Sequence, residues 1–509
     1  MKVLRKSILI ILCCAMVLPL FSCSAGNADK QITLEWWYRG NGQQADTELV
    51  EKALNEKLHT YEGMENVNIG LNCYPASDYY TNVTLAMSGG KQMDILNTVS
   101  YDLPSLFDDE VFIALDDYLS EDMKNTLPDW LWKMSTYQDK IRFIPHYQRA
   151  ANMNYLITPK KFSEYYSDFN KLREALAMPQ LDLKEIGMLL EEYLLAVREA
   201  EPENTRYLKP IGKDIQYFEG FNDRLAANSI AFYHQSEEIE HYMLTEEAQV
   251  LMELSADWSE KGYLHPDVLT VDAAATLEGV NMLNDVSSIF TLNNQIGDEA
   301  SVSQAYTNMY GIEVIALPIK NEYFIPSMWA AGGDGVTASC KHPDKAAKFI
   351  ELMNSEKGKE LYNLVVYGIE GKHYEKVDAT HIRTFEYNTT QGGISTSYAA
   401  LKWVMGNTFN AYLNQGANDG ENELSLALNE SEDTIQSKLI GFYPSTKNIL
   451  TKIEQISSIT QEYQDALGCG VKGNEWRTYY AEFESRLKMA GLEEIKSELQ
   501  KQVDEFRRN

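Results

Sequence analysis

ITLEWWYRGNGQQADTELVEKALNEKL, Ile32 to Leu58, followed at Val67 to Cys73 by VNIGLNC, is the stretch that decides the fold. ITLEWWY (Ile32 to Tyr38) is rich in β-branched and aromatic residues and reads as a strand, and RGNGQQAD (Arg39 to Asp46) is a glycine and asparagine loop. From Thr47 to Leu58 the apolar residues Leu49, Val50, Ala53, Leu54 and Leu58 share one helical face, with Asp46 placed as N-cap and Glu48 in the first turn. VNIGLNC then alternates with period two. A second helix, Tyr79 to Met87 between Asp78 and Gly89, leads to the short strand Asp94 to Thr98. Parallel strands need long crossovers, and helices supply them, so a parallel sheet with covering helices is expected.

Farther along, KIRFIP (Lys140 to Pro145) and MNYLI (Met153 to Ile157) read as strands joined by HYQRAAN. Leu183, Ile186, Leu189, Leu190, Tyr193, Leu194 and Val197 recur at helical spacing behind Asp182 and Glu185, a capping-box variant. Another helix is expected over Glu246 to Lys261, stopped by Gly262 and Pro266. Strands return at SSIFTL (Ser287 to Leu292) and GIEVIALP (Gly311 to Pro318), and WAAGGDGVTAS (Trp329 to Ser339) is a strand-like run of small residues before a helix over Pro343 to Met353. The C-terminal third is helical, and its last helix places Leu492, Ile495, Leu499, Val503 and Phe506 on one stripe.

At the other end, a basic segment with Lys2, Arg5 and Lys6 precedes an apolar run from Ile8 to Leu20. That run falls short of the roughly 20 residues a membrane span needs, so residues 1–22 read as a secretory signal. Leu20-Phe21-Ser22-Cys23 resembles a bacterial lipobox, which makes Cys23 the lipidated N-terminus and residues 23–30 a polar tether. Two acyl chains, at about 0.8 kcal/mol per buried CH₂, anchor stably where one does not.

Without residues 1–22 the chain keeps 487 of its 509 residues, and its net charge falls from −30 to about −33 with the loss of three basic groups. That length points to two domains. So acidic a surface argues against nucleic acid and disfavours anionic ligands, but costs nothing with a neutral one. Cys73, Cys340 and Cys469 are too widely spaced to write a disulfide framework or a CxxC metal site, and are expected buried and reduced.

Several segments in order, TLEWWYRGNGQQAD (Thr33 to Asp46), SGGKQMDILNT (Ser88 to Thr98), KIRFIP, KGYLHPD (Lys261 to Asp267), GDGVTASCKHPDKAAKFIELMNSEKG (Gly333 to Gly358), YGIEGKHYEKV (Tyr367 to Val377) and LIGFYPS (Leu439 to Ser445), together resemble the extracellular solute-binding proteins of sugar ABC transporters, in their large lipoprotein branch. The resemblance implies an α/β fold: a two-lobed periplasmic-binding-protein-like clam with discontinuous lobes and a helical C-terminal extension. Crossings would fall near His146 to Met153 and near Ser327 to Gly333. The first lobe would then comprise 31–148 and 330–385, and the second 149–329 and 386–509.

In open α/β sheets ligands bind beyond the carboxyl ends of strands, which selects the candidate site. Alternation sends Trp36 and Trp37 to opposite faces, and either Trp37 or Tyr38 is expected in the cleft, with Arg39, Asn41 and Gln43 at the rim. Tyr101 and Asp102 follow one strand, Tyr147 and Gln148 another, and Trp329 lies at the second crossing. An aromatic plane with a few oriented polar groups is what a sugar ring requires, although each of these residues would serve equally in a core. Trp403 and Phe409 are placed in the second lobe.

No GxSxG, HExxH or GxxxxGK[ST] motif occurs, the eight histidines are scattered, and the loop Asn414 to Glu423 lacks the full calcium-binding pattern. No cofactor, metal or catalytic residue is expected. The reading is a monomeric, lipid-anchored, extracytoplasmic binding protein that takes a neutral sugar or oligosaccharide to the transmembrane subunits of an ABC permease and touches the membrane only through its anchor. The alternatives are a surface glycan-degrading enzyme, or a binding protein for a peptide or other solute.

Overall fold

The computed structural model describes residues 31–508 apart from 100–101, 271–287, 328–331, 386–396, 416 and 418–419. The signal segment, Cys23 and its tether, Tyr101 and Trp329 lie outside the described residues. The strands considered below are, along the chain, β1 (Ile32–Gly40), β2 (Val67–Pro75), β3 (Ile95–Val99), β4 (Ile144–Pro145), β5 (Asn152–Pro159), β6 (Asn222–Ala226), β7 (Ile230–Tyr233), β8 (Glu238–His241), β9 (Thr291–Gln295), β10 (Val314–Ile325), β11 (Gly332–Val336) and β12 (Ile435–Gln436).

The first sheet has the order β2-β1-β3-β11-β4. β1 runs parallel to β2 from Ile32 opposite Val67 to Gly40 opposite Pro75, and parallel to β3, with Trp36 opposite Ile95. The crossover between β1 and β2 is the helix Thr47–Leu58, whose Val50, Leu54 and Leu58 are buried. Asp46 does not cap that helix: its carboxylate lies 3.1 Å from Lys372 Nζ and 3.2 Å from His373 Nε2. A neighbouring cation has outcompeted the helix's backbone N–H groups for it. Asp182 does cap, accepting from Lys184 N at 3.1 Å and Glu185 N at 3.0 Å. β11 closes the sheet antiparallel to β3 and β4, although every strand from β5 to β10 separates it from β4 along the chain. Glycine is needed there, because a Cβ on Gly333 would overlap the Ile144 carbonyl and one on Gly335 the Phe112 ring.

The second sheet has the order β9-β5-β10-β12 and is antiparallel except where β12 joins β10, with Phe324 opposite Ile435. GIEVIALP is therefore only the start of a longer strand, and SSIFTL pairs from Thr291 on. A third, antiparallel sheet, β8-β7-β6, turns between β6 and β7 through Ala227 and Asn228, both at positive φ, as a tight hairpin requires.

Two large cores form around the first two sheets. The first gathers Leu34, Trp36, Val50, Leu54, Ile69, Ile95, Phe143, Phe349 and Val365; the second gathers Leu156, Phe162, Leu190, Phe232, Trp258, Phe290, Leu317, Ile456, Phe483, Leu487, Ile495, Leu499 and Val503. The last three helices, Leu450–Gly468, Trp476–Met489 and Leu492–Arg508, thus belong to the second core. Tyr398, Val404, Met405, Phe409 and Ala411 pack with the first core, not with the second as the sequence suggested. Their partners explain the difference: Tyr398 donates to Val365 O at 2.7 Å, Tyr362 to Lys402 O at 2.8 Å, and Asn97 Nδ2 to Val404 O at 3.1 Å. Among the described residues no helix is long and apolar enough to cross a membrane.

The chain passes between the two main sheets from β4 to β5, from β10 to β11, and around β12. Asn429 fastens the first passage: its Oδ1 accepts from Ala150 N at 2.9 Å and Ala151 N at 3.0 Å, and its Nδ2 donates to Gln148 O at 2.9 Å. Asp223, buried on β6, fastens the other two. It accepts from Ser327 at one carboxylate oxygen and from Ser437 Oγ, at 2.5 Å, at the other.

Candidate functional site

A cavity of about 1190 Å³ opens where these passages meet. Most of its wall comes from elements of the second core, and Pro104 and Ser105, just after β3, complete it from the first. One wall is the face of the second sheet that carries amides. Asn152 and Asn154, two apart on β5, point to the same side; Asn294 on β9 lies opposite Asn154, and Phe324 on β10 lies opposite Asn152. Asn154 Nδ2 donates to Tyr217 O at 3.3 Å, which draws the Tyr217 segment over this face. Phe221 also lines the cavity, its ring 5.4 Å from Phe324 and stacked on His234 at 4.4 Å with 14° between planes.

Of the charged groups in the wall, Glu219 and Arg224 pair with each other and Asp223 with His234; Lys213 reaches Asp465 outside the wall, and Lys320 and Glu322 line it as well. Arg224 Nη2 lies 3.2 Å from Glu219 Oε2, its guanidinium 4.4 Å from the centre of the Tyr242 ring, and Tyr233 donates to Glu219 Oε1 at 2.6 Å. Burial pushes the Glu219 carboxyl above the usual carboxylate range, against the pull of Arg224. Asp223 Oδ2 meets His234 Nε2 at 2.6 Å. What the cavity offers a ligand is therefore amides, hydroxyls and rings, together with the charged side chains of Lys320 and Glu322. The uncharged groups donate and accept neutral hydrogen bonds and cover apolar C–H faces.

The residues proposed from sequence are placed differently. Trp37 (4% exposed) stacks on Tyr74 with centroids 5.0 Å apart, and Tyr38 (1%) packs 4.8 Å from Trp36, so both rings belong to the first core and neither presents a face to a cleft. Tyr38 points towards Cys73 and Tyr398, where burial raises its hydroxyl well above its ordinary range. Arg39 and Asp102 are brought together, but as a buried ion pair over the Tyr79 ring, 4.8 Å from the guanidinium carbon. Asn41 is exposed and reaches Ala399 O at 3.3 Å. Gln43 donates to Leu71 O at 2.6 Å. Tyr147 lies in the first passage, its hydroxyl 3.2 Å from Glu430 Oε1 and its ring edge-on to Phe409 at 5.0 Å. None of these lines the cavity.

The amides were overlooked, and a signal for them exists. Asn is depleted in strands, so the N-x-N of Asn152 to Asn154 and the doublet Asn293-Asn294, both within strand-like runs, call for a use other than packing.

Comparison with known proteins places this architecture. The model of a domain of unknown function, DUF3502, matches residues 438–508. A carbohydrate ABC transporter substrate-binding protein of Streptococcus pneumoniae serotype 4 (strain ATCC BAA-334 / TIGR4) is 25% identical over 256 residues. The match takes in 49% of this chain and 48% of that protein, so the chain spans about half the length of the curated relative it matches. Among solved structures, the N-glycan transport solute binding protein NgtS from Streptococcus pneumoniae superposes with a TM-score of 0.72 at 18% identity, over 94% of this chain and 100% of that one. The same protein in complex with Man1GlcNAc gives 0.64 at 17% identity, over 94% and 100%. An extracellular solute-binding protein from Bifidobacterium longum subsp. infantis gives 0.63 at 14%, over 94% and 99%. The fold built here from two sheets, two cores and three passages between them is that of the extracellular solute-binding proteins.

Proposed function

We propose that this protein is the binding component of an ABC importer, held outside the cytoplasm by a lipid on Cys23, and that it captures a neutral oligosaccharide between its two lobes. The observation that carries the reading is the cavity of about 1190 Å³ at the passages between the cores, walled largely by amides, hydroxyls and aromatic rings, with Glu219 paired to Arg224 and Asp223 to His234. Its volume exceeds the roughly 300–1,000 Å³ typical of small-ligand pockets, which favours a chain of sugars over a single one. The sequence likeness to a carbohydrate ABC transporter substrate-binding protein supports the same reading.

Capture and delivery require no bond to be made or broken, so no residue is assigned a catalytic role. A ligand that touches both lobes stabilises only the closed arrangement, since only there are both sets of contacts available. A dissociation constant near 1 μM corresponds to about −8 kcal/mol, within reach of a few hydrogen bonds and one or two stacked rings. Isothermal titration against neutral oligosaccharides, uronic-acid oligosaccharides and short peptides tests the proposal. Heat with the neutral glycans alone is the expected result; binding confined to peptides or acidic glycans would refute it. Labelling with radioactive palmitate in the native host, lost in Cys23→Ala, tests the anchor.

A further inference from the structure

We propose that the domain of unknown function matched at residues 438–508 serves this protein as a second ligand-binding arm. In it, Ser457, Gln461 and Gln464 of the helix Leu450–Gly468 bind sugar units that the second sheet does not reach, so that neutral glycans are selected by length. The inference rests on the carbohydrate reading above and deepens it.

The helix has three faces. Ile456, Tyr463 and Leu467 are buried in the second core. Lys452, Glu462 and Asp465 are engaged with other elements: Lys452 with Glu494, Glu462 Oε1 with Arg486 Nη1 at 2.6 Å, and Asp465 Oδ1 with Lys213 Nζ at 3.3 Å. The third face lines the cavity. Leu450, Ile453, Ser457, Gln461 and Gln464 recur there at intervals of three and four, and none is charged. Gln461 is exposed, Ser457 and Gln464 are half-buried, and their side chains make no hydrogen bond among the described residues. On a chain of net charge −30, this is a neutral row of accessible donors and acceptors.

That row and the amides of the second sheet stand at opposite ends of β6. At its start, Phe221 packs on Phe324 of the second sheet, ring centres 5.4 Å apart. At its end the chain turns through Ala227 and Asn228 into β7, where Ile230 pairs with His241, whose Nε2 lies 2.9 Å from Thr460 Oγ1 on the helix. Every residue from Glu219 to Ser229 lines the cavity, which therefore runs the length of the strand. Five residues at about 3.3 Å each set the two ends roughly 15 Å apart, farther than one pyranose spans and within reach of a chain of several. The helix is also fixed in advance. Thr460 donates to Ile456 O at 2.8 Å while holding His241, and Tyr480 of the next helix donates to Met243 O at 3.1 Å. A wall already in place loses little freedom when a ligand arrives, so hydrogen bonds made to it appear in the affinity.

The test uses the whole mature chain and a ladder of neutral oligosaccharides, from monosaccharides upward, read by titration calorimetry. Wild type is expected to bind the long members more tightly than mono- and disaccharides. Gln461→Ala/Gln464→Ala is expected to weaken binding of the long members about tenfold, the worth of one or two neutral hydrogen bonds, and to leave the short members within about threefold. Gln455→Ala, on the same helix but exposed outside the cavity, should change neither. If the wild type binds glycans while the double variant, folded by circular dichroism, matches it at every length, the arm is wrong and the carbohydrate reading stands. Equal losses at every length, or an equal loss in Gln455→Ala, also overturn the arm. If the wild type binds no glycan, both fall together.

Discussion

Ser327 donates twice to one carboxylate oxygen of Asp223, from its backbone nitrogen at 2.7 Å and from its hydroxyl at 2.9 Å. Ser437 and His234 occupy the other oxygen, at 2.5 and 2.6 Å. One buried carboxylate thus organises donors from three separate segments. Replacing it by an amide turns an acceptor into a donor among donors.

Asp223→Asn is therefore expected to destabilise the protein by about 3 kcal/mol, because buried donors left unmatched each cost about 1–3 kcal/mol. Urea denaturation followed by circular dichroism measures the change. A shift below about 0.5 kcal/mol, the size of an ordinary surface substitution, would show that the carboxylate's charge is not what holds the passages.

Asn429→Ala removes the side-chain acceptor of two buried backbone N–H groups, those of Ala150 and Ala151. A loss of about 2–4 kcal/mol is expected by the same reasoning. Amide exchange at Ala150 and Ala151 should accelerate well beyond that of β1, and unchanged protection there would contradict the role given to Asn429.

Arg39 and Asp102 are 2% and 6% exposed, and burial raises the Asp102 carboxyl although Arg39 pulls it down. Removing one member strands the other's charge in the first core. Arg39→Met and Asp102→Leu should each cost about 3–5 kcal/mol, whereas the double variant should recover most of it. Additive losses in the double variant would mean that the two residues act separately.

His241 is fully buried, accepts from Met243 N at 3.3 Å and meets Thr460 Oγ1 at 2.9 Å. Burial, with Arg224 and Lys496 adding to it, lowers its pKa from 6.5 to about 3. The unfolded chain therefore binds a proton that the folded one refuses between those values, and its contribution is intact above pH 6.5 and lost as pH falls towards 3. At pH 5 the loss is about 2 kcal/mol. His241→Gln should flatten stability between pH 7 and pH 5, and an unchanged slope would remove His241 from the acid response.

Burial pushes the thiols of Cys73 and Cys340 up, to about 11 and about 12. At pH 8 neither supplies appreciable thiolate, so Ellman's reagent should react with them only after denaturation. Cys73 and Cys469 are buried as expected while Cys340 is only partly so, and rapid modification of the native protein would contradict the raised thiol pKa values.

Much of the first sheet was legible because its signals are local. The alternation of Val67–Cys73 and the helical stripe of Thr47–Leu58 are written in consecutive residues. The faces were not. Trp36 is drawn inward by Asp334, which accepts from its Nε1 at 2.9 Å from 298 positions away and lies 2.8 Å from His146 Nε2. No window of sequence around Trp36 contains that partner. Trp37 followed onto Tyr74, whose approach depends on the β1–β2 register. The amide wall escaped for a related reason: Asn152 and Asn154 meet Asn294 only through the pairing of β5 with β9, two strands far apart in the chain.

The long detour between β3 and β11 also sets a timetable for synthesis. β11 lies within the first sheet, between β3 and β4, yet its Gly333 follows Asn97 of β3 by 236 positions. At about 5–20 residues per second a ribosome needs on the order of 10 to 50 s to cover that distance. Through all of it the edge of β3 stands open, and Ile440, which packs into the same core, emerges later still. The portion of the molecule made first is therefore completed only near the end of synthesis, so a nascent chain of this protein depends on whatever shields an unpaired strand in the meantime.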